Sequence, residues 1–380
     1  MEELKDILEK YGSRTTYVIS VYINGKKFKP ERFFLQSLEC ESGIWSEASI
    51  CIIRFRCPFL DEIKLPSDIS DAKIGVKFKI QAGYEKSGSQ ILDTIFEGFV
   101  HSVGIEIEND YTILIISGMD AKIWMMSSKR TEMKKNKKNF SDIVRATINI
   151  YSNKFSGTTS IKIQNDPELT SPIFQRNESD FEFLCRMAKT TGSVFYVSLG
   201  KLFFTPPDAN KSVKLNISPC NGLFSVNFSV NLFGTLKNVE VKVLDEKDVS
   251  KIKITKISSN NTIGSGKTAS DLSSNVSGSA EIVNNFATTS SQAKFIAQAE
   301  MIRRSFFVKC ELKISFFASA ELGAGVKIKK IGSPIDNTYI ATNIRHVYDG
   351  DKNEFFTFLT LQSDSYNPAS DVLGSVLSLF

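Results

Sequence analysis

Gln175-Arg-Asn-Glu-Ser-Asp-Phe-Glu-Phe-Leu-Cys-Arg-Met-Ala-Lys-Thr-Thr-Gly192, running on into Ser193-Val-Phe-Tyr-Val197, is the stretch on which the reading of this chain turns. Asn177 is placed to cap a helix, and Asp180, three residues on, puts negative charge in the first turn, where the helix dipole favours it. Phe181, Leu184, Cys185 and Ala188 recur at helical spacing with Phe183 and Met187 beside them, which predicts a helix buried over a broad face. Gly192 supplies the left-handed residue that ends it. Val194 to Val197 reads as a strand, Ser198 to Lys201 as a turn and Leu202 to Phe204 as the returning strand. Taken alone, this is a capped helix and hairpin that any α+β domain can contain.

The identities say more. They resemble the Gln-x-x-Glu-Ser-Asp-Phe-x-Phe-Leu-x-Arg signature of the VgrG and phage late-control D family, the central hub proteins of contractile tails and injection systems. Gln175, Glu178, Ser179, Asp180, Phe181, Phe183, Leu184, Arg186 and Gly192 stand where that pattern wants them. Asn177 replaces a frequent Arg, and Thr190-Thr191 replace acidic residues.

Outside this stretch, 380 residues are enough for more than one core, so roughly two to four domains are expected. A 42% hydrophobic and 23% charged composition is that of an ordinary globular protein. The net charge of +5 is modest for the length and gives little reason to expect nucleic acid. Residues 1–13 are charged with Leu4, Ile7, Leu8 and Tyr11 on one helical face, a short docking helix rather than a secretory signal. Nothing reaches the roughly 18 uninterrupted apolar residues of a membrane span. Cys40, Cys51, Cys57, Cys185, Cys220 and Cys310 form no regular framework, which suits free thiols in a reducing compartment.

Taken in order, residues 14–126 read as a first β-barrel. Thr16 to Ile23 alternates into the Asn24-Gly25 hairpin signal, Ser49 to Phe55 is a strand, and Val76, Phe78 and Ile80 alternate with Lys77 and Lys79. Gly98, inside a strand, marks a bulge or sharp bend. Residues 127–216 form an α+β domain that carries the Gln175–Gly192 motif. The β pattern resumes over 217–249 and 305–365 as a second barrel. Between these segments, 250–304 is a polar insertion, with Ser258 to Ser291 on the surface and a helix at Ala293, Ile296, Ala297, Glu300 and Met301 returning to the sheet. Gly75 to Ile80 resembles Gly325 to Lys330, and each is followed by a strand ending near a histidine, His101 or His346, which suggests a duplication. The tail, 366–380, places Val372, Leu373, Val376, Leu377 and Phe380 on a short apolar helix that must dock, either on its own assembly or on another protein.

No catalytic constellation emerges. Gly264-Ser-Gly-Lys-Thr268 looks like the end of a phosphate-binding loop, but the position that needs its first Gly is Asn261. His101 and His346 sit within strand patterns, and no His-x-x-x-His, Cys-x-x-Cys or Gly-x-Ser-x-Gly occurs. Glu178 and Asp180 lie at a helix start, where carboxylates are stabilising without catalysis. Arg186 is six residues beyond Asp180, too far for a bond along the helix, so a contact with another domain or subunit is expected. The basic run Lys129 to Lys138 is first a solvated loop face, next a lumen or partner surface, and last a nucleic-acid site, since no aromatic platform is interleaved with it.

The expected fold is therefore mainly β with α+β insertions. The resemblance implies two related tail-tube-like barrels per chain, with smaller inserted domains, assembled as a homotrimeric ring. It further implies a structural hub of a contractile phage tail, phage-tail-like particle or injection system, assembled in the bacterial cytoplasm. Such a hub joins a hexameric tail tube to a trimeric spike and contacts other baseplate proteins, without cofactor, metal or turnover. Longer family chains continue into an oligonucleotide-binding-type barrel and a needle, so here the spike is expected to be a separate polypeptide or to be absent. Alternatives are a VgrG-like secretion spike component lacking its needle, a tail-associated peptidoglycan hydrolase, and a carbohydrate-binding β-protein.

Overall fold

The computed structural model describes residues 2–3, 16–28, 33–58, 72–86, 89–108, 111–134, 137–208, 211–220, 222–245, 248–258, 263–272, 278–283 and 289–367. Fourteen strands belong to one sheet. After β1 (Glu2–Glu3), its first part contains β2 (Thr16–Ile23), β3 (Lys26–Phe28), β4 (Phe34–Gly43), β5 (Ile50–Pro58), β6 (Lys77–Lys86), β7 (Ser89–Glu108) and β8 (Tyr111–Met119). They pair in the order β4-β5-β8-β7-β6-β2-β3. Asn24 and Gly25, at φ +50° and +80°, make the tight turn that an Asn-Gly pair favours. Alternate side chains, among them Val21, Leu38, Ile53, Phe78, Ile80, Leu114 and Ile116, meet in one core. Phe28 on β3 and Phe55 on β5 lie towards opposite ends of the strand order, yet their rings are 5.7 Å apart. The sheet therefore wraps around its core. Among the described residues no backbone pairing joins β3 to β4 to close the ring.

The α+β region comprises α1 (Ile123–Met126), β9 (Lys129–Lys134), α2 (Phe140–Asn149), β10 (Ser160–Ile161), β11 (Ile173–Ser179), α3 (Asp180–Thr191), β12 (Val194–Ser198) and β13 (Lys201–Thr205). Phe183, Leu184, Met187 and Ala188 of α3 pack on Ile143, Val144, Phe195 and Phe204. This is the broad apolar face the helical spacing predicts, although Phe181 and Cys185 stay half-buried at its margin.

Then follow β14 (Val213–Ile217), β15 (Leu223–Val230), β16 (Leu236–Asp245), β17 (Asp248–Ser258), α4 (Ala269–Leu272), β18 (Gly278–Val283), α5 (Ser290–Arg303), β19 (Val308–Ser315), β20 (Gly325–Ile328), β21 (Thr338–Asp349) and β22 (Glu354–Ser363). The second part of the large sheet runs β14-β20-β21-β22-β19-β15. Its core gathers Leu215, Cys310, Leu312, Ile328, Ile340, Leu359 and Leu361. β16, expected in the second β region, leaves it for a separate three-stranded sheet, β17-β16-β18. The reason is packing: Leu236, Val239 and Val241 bury against Ala293, Ala297 and Met301 of α5. The polar insertion thus contributes a strand of its own, β18, parallel to β16. Nor does α5 only return to a sheet; its Phe295 stacks on Phe140 at 5.4 Å and so fastens the insertion to the α+β core. At the N-terminus, where a helix is expected, Glu2–Glu3 pair as a strand with Leu215 and Asn216. Residues 4–13 lie outside the described residues.

The two parts of the sheet repeat one pattern. β15-β19-β22-β21-β20 reproduces the pairing order of β4-β5-β8-β7-β6. Both copies carry bulges at matching places: Gln36 of β4 and Phe224 of β15 are unpaired extra residues, as are His101 of β7 and Thr342 of β21. These marks set the correspondence. Cys51 is level with Cys310, Ile53 with Leu312 and Ile116 with Leu359, and all six are buried. The alignment of Gly75 to Ile80 with Gly325 to Lys330 is therefore two residues out of step, since Lys77–Ile80 match Gly325–Ile328. His101 corresponds to Thr342, while His346 is level with Ile105. The strands that flank the copies pair differently: β2 is antiparallel to β6, and β14 is parallel to β20. Gly98 is not itself a bulge. Bulges at Ile95 and His101 flank it, and a Cβ there would lie 2.3 Å from the Met119 carbonyl oxygen. The copies join where β4 pairs with the C-terminal half of β21, from Ser37 opposite Asp349 to Gly43 opposite Asn343.

Candidate functional site

The motif residues form a single node built by β9, β11, α2 and α3. β11 pairs antiparallel with β9, and the ladder bulges between Gln175 and Glu178. Asn177 sits in that bulge at φ +49°, a conformation Asn tolerates, and its N–H donates to Thr131 Oγ1 at 3.1 Å. It therefore does not cap the helix. Ser179 does: its Oγ accepts from the Glu182 N–H at 3.1 Å, and Glu182 Oε2 accepts from the Ser179 N–H at 2.7 Å, a complete capping box.

Asp180, in the first helical turn, is fully buried. Its carboxylate accepts from Gln175 Nε2 at 3.0 Å and from the Tyr151 hydroxyl at 2.7 Å, and it pairs with Arg130. Burial and the bond to Asp180 push Tyr151 up to about 12. Gln175, also buried, donates to the Glu178 carbonyl at 2.9 Å, which locks the strand-to-helix corner. Within the chain, Arg186 turns back onto its own motif rather than to a separate domain. Its Nε and Nη2 donate to Glu178 Oε1 and Oε2 at 2.7 and 2.8 Å, and Nη2 also reaches the Phe174 carbonyl at 2.6 Å. That fork holds the Glu178 carboxyl below its usual range. Gly192, at φ +63°, ends α3, and a Cβ there would lie 2.7 Å from Ala299 Cα on α5. Of the motif residues, Gln175, Glu178, Asp180 and Arg186 are bonded to one another across the corner between β11 and α3, Ser179 caps α3, Phe183 and Leu184 lie in the core, and Gly192 meets α5.

Beside the node, Phe140, Leu169, Ile173, Met187, Phe295 and Ile296 line a groove of about 410 Å³. Its rim carries Arg176, Glu178 and Arg186, and Phe174 there is 40% exposed. Of the basic run, Arg130 is paired with Asp180, Lys129 with Glu182 and Lys134 with Glu132, so this part is a bonded strand rather than a loop face.

A second polar joint has no signal in the sequence. Asp120 and Lys122, both buried at the end of β8, lie 3.6 Å apart. Asp120 accepts from the Ser49 N–H at 2.6 Å, Lys122 Nζ donates to the Glu47 carbonyl, and Ser49 Oγ donates to the Val197 carbonyl at 3.1 Å. Burial raises the Asp120 carboxyl against the pull of Lys122. These bonds fix the first β part to β12. The roles of Arg130 and Tyr151 were not legible because Asp180 is remote from them in the chain, and those of Asp120 and Lys122 because Ser49 and Glu47, which they bind, lie some 70 residues earlier.

The remaining candidates are accounted for by their surroundings. At Gly264–Thr268 the backbone N–H groups of Ile263 and Gly264 donate to Asp364 Oδ1 at 3.1 and 3.4 Å, and that of Ser265 to Asn337 Oδ1 at 3.1 Å. A phosphate cradle needs such donors aimed together at the ligand. His346 is buried, with Nδ1 2.9 Å from Thr357 Oγ1, and burial lowers it to about 4. His101 is half-buried at its bulge. Among the described residues there is no metal-binding cluster of three or more His, Cys, Asp or Glu, and no helix long and apolar enough to cross a membrane. Val372, Leu373, Val376, Leu377 and Phe380 lie outside the described residues.

A family model described as the Alg8 N-terminal domain matches residues 60–349. No curated protein matches the chain. Among solved structures, the 43 kDa tail protein of prophage MuSo2 from Shewanella oneidensis matches with TM-score 0.66 at 12% identity, over 92% of this chain and 100% of its own. The tail protein from Neisseria meningitidis MC58 gives TM-score 0.66 at 12% identity, over 92% and 97%. The E. coli c3393 protein is a component of the type VI secretion system with structural similarity to the T4 bacteriophage tail proteins gp27 and gp5. It gives TM-score 0.55 at 10% identity, over 92% and 79%. At such identities the likeness is one of fold.

Proposed function

The chain belongs to the Alg8 N-terminal domain family and has the fold of phage tail proteins, and from these premises we propose that it is a structural baseplate hub. It acts mechanically and without turnover in a contractile phage tail, phage-tail-like particle or related injection system. The observation that carries this reading is the likeness to the MuSo2 tail protein over 92% of this chain and the whole of the other. The Gln175–Gly192 signature of the VgrG and late-control D hubs supports it, as does the repeated five-strand pattern within one chain. Three chains with two such repeats each present six like surfaces to a hexameric tail tube and three to a trimeric spike, which makes the hub a symmetry adaptor. Its partners are then other copies of itself, the tube protein, a spike and neighbouring baseplate proteins, in a particle assembled in the bacterial cytoplasm.

The likeness to the E. coli secretion component favours a second reading, a VgrG-like spike component. The particle with which the chain co-purifies separates the two. Light scattering tests the hub itself: the expected mass is about 127 kDa, three times the 42.4 kDa chain. A mass of 42.4 kDa at high concentration, with tube or spike protein present, would overturn the reading.

A further inference from the structure

We propose that the cleft between the first β part and the α+β region binds an acidic segment of another protein, whose carboxylates meet Lys77, Lys79 and Lys154. The site stands on the cleft alone and does not depend on the hub reading. The cleft holds about 360 Å³, within the range of roughly 300–1,000 Å³ that binding sites occupy. Strand pairing builds one wall: Lys27 of β3, Tyr22 of β2, Lys79 of β6 and Glu97 of β7 stand level in neighbouring strands. Period-two alternation adds Lys77 to the same face, two residues before Lys79. Lys154, Ser156 and Gly200 line the cleft from the α+β region.

None of these three lysines has a carboxylate partner among the described residues. Glu97, opposite Lys79 in the ladder, offsets one of them and leaves an excess of positive charge. Two of the ammonium groups are already held in place. Lys79 Nζ lies 5.8 Å from the centre of the Tyr22 ring, and Lys154 Nζ lies 4.2 Å from that of Trp124. Carboxylates arriving there meet charges that need little ordering, which lowers the cost of binding. Apolar groups are exposed on the same margin. Ile74 is 71% exposed beside Gly75, whose Cβ position is 3.3 Å from Trp124 Cη2. Ile150, four residues before Lys154, is 53% exposed. A segment in which carboxylates alternate with apolar side chains complements this surface. Nucleic acid fits it less well, because single strands stack their bases on free aromatic faces, whereas Tyr22 and Trp124 each have an ammonium over a face.

Fluorescence polarisation tests the site with three labelled probes: the peptide Glu-Leu-Glu-Leu-Glu-Leu-Glu, the same peptide with Lys in place of Glu, and a single-stranded oligothymidine. The full chain should bind the acidic peptide most tightly and release it as salt rises. Replacing all three lysines, Lys77→Gln with Lys79→Gln and Lys154→Gln, should weaken that binding about tenfold. Lys77→Glu, at an exposed position, serves if the triple variant does not fold; it should weaken binding several-fold and leave the thermal midpoint unchanged. Carbodiimide coupling of the bound peptide should place its crosslinks on Lys77, Lys79 or Lys154. No binding of the acidic peptide, undiminished binding by a folded variant, or tighter binding of the oligothymidine would each overturn the proposal. A single-chain mass in light scattering overturns the hub reading and leaves this site standing.

Discussion

The Tyr151 hydroxyl donates to the buried Asp180 carboxylate at 2.7 Å and so ties the residue just beyond α2 to the first turn of α3. With Gln175 and Arg130 it encloses a charge that α3 alone would leave to the solvent. Asp180→Ala strands those three donors at one point. Breaking a buried pair costs about 3–5 kcal/mol, and the lower end applies because Arg130, 35% exposed, can turn to water. Urea unfolding should show this loss; a change under about 0.5 kcal/mol would mean that the node does not hold the domain.

Leu184 is fully buried in the same core. Leu184→Ala should cost about 2–5 kcal/mol, read as a lower unfolding midpoint with unchanged m. An unmoved midpoint would place the face of α3 outside the core.

Stability should also follow His346. Burial lowers it to about 4, whereas an unfolded histidine titrates near 6.5. Between those values the unfolded chain holds a proton that the folded chain refuses. This stabilising contribution is therefore complete above about pH 6.5 and shrinks by on the order of 3 kcal/mol as the pH falls to 4. Unfolding measured across that window should show the slope, and His346→Gln should flatten it.

Lys267→Ala should leave nucleotide behaviour unchanged, since the neighbouring N–H groups are already engaged by Asp364 and Asn337. Tight, magnesium-dependent ATP binding abolished by this substitution would contradict that account. Calorimetry with wild type and variant decides it.

Truncation after Asn367 removes Val372, Leu373, Val376, Leu377 and Phe380. If the tail seats a spike, the shortened protein should keep its assembled mass and lose co-purification with the spike protein. Aggregation or a fall to single chains would place the tail in the hub's own core.

Local chemistry made α3 legible: its apolar spacing, an acidic first turn and a terminal Gly all lie within 18 residues of one another. The cap was misplaced by two residues because the bulge at Asn177 is imposed by β9, some 45 residues earlier, and no local signal marks it. Arg186 was assigned elsewhere for a related reason. Its distance to Glu178 is set by the fold-back of β11 onto α3, which spacing along a helix does not measure. The mainly β character was readable from alternation. The destination of β16 was not, since Val239 and Val241 alternate in the same way whether they face a barrel or α5. The repeat was visible only out of register, because lysine-rich strands match at several offsets and the bulges that settle the offset are backbone features.

The β4–β21 junction also has a consequence for synthesis. β4 emerges from the ribosome with one edge satisfied by β5, while the residues that cover the other edge, Asn343 to Asp349, lie about 300 positions downstream. At about 5–20 residues per second that interval is roughly 15–60 s, during which the nascent first repeat presents an open edge. Neighbouring chains on a single messenger therefore meet while each can still mistake the other's β21 for its own, and slowing translation after β8 should raise the yield of strand-swapped dimers.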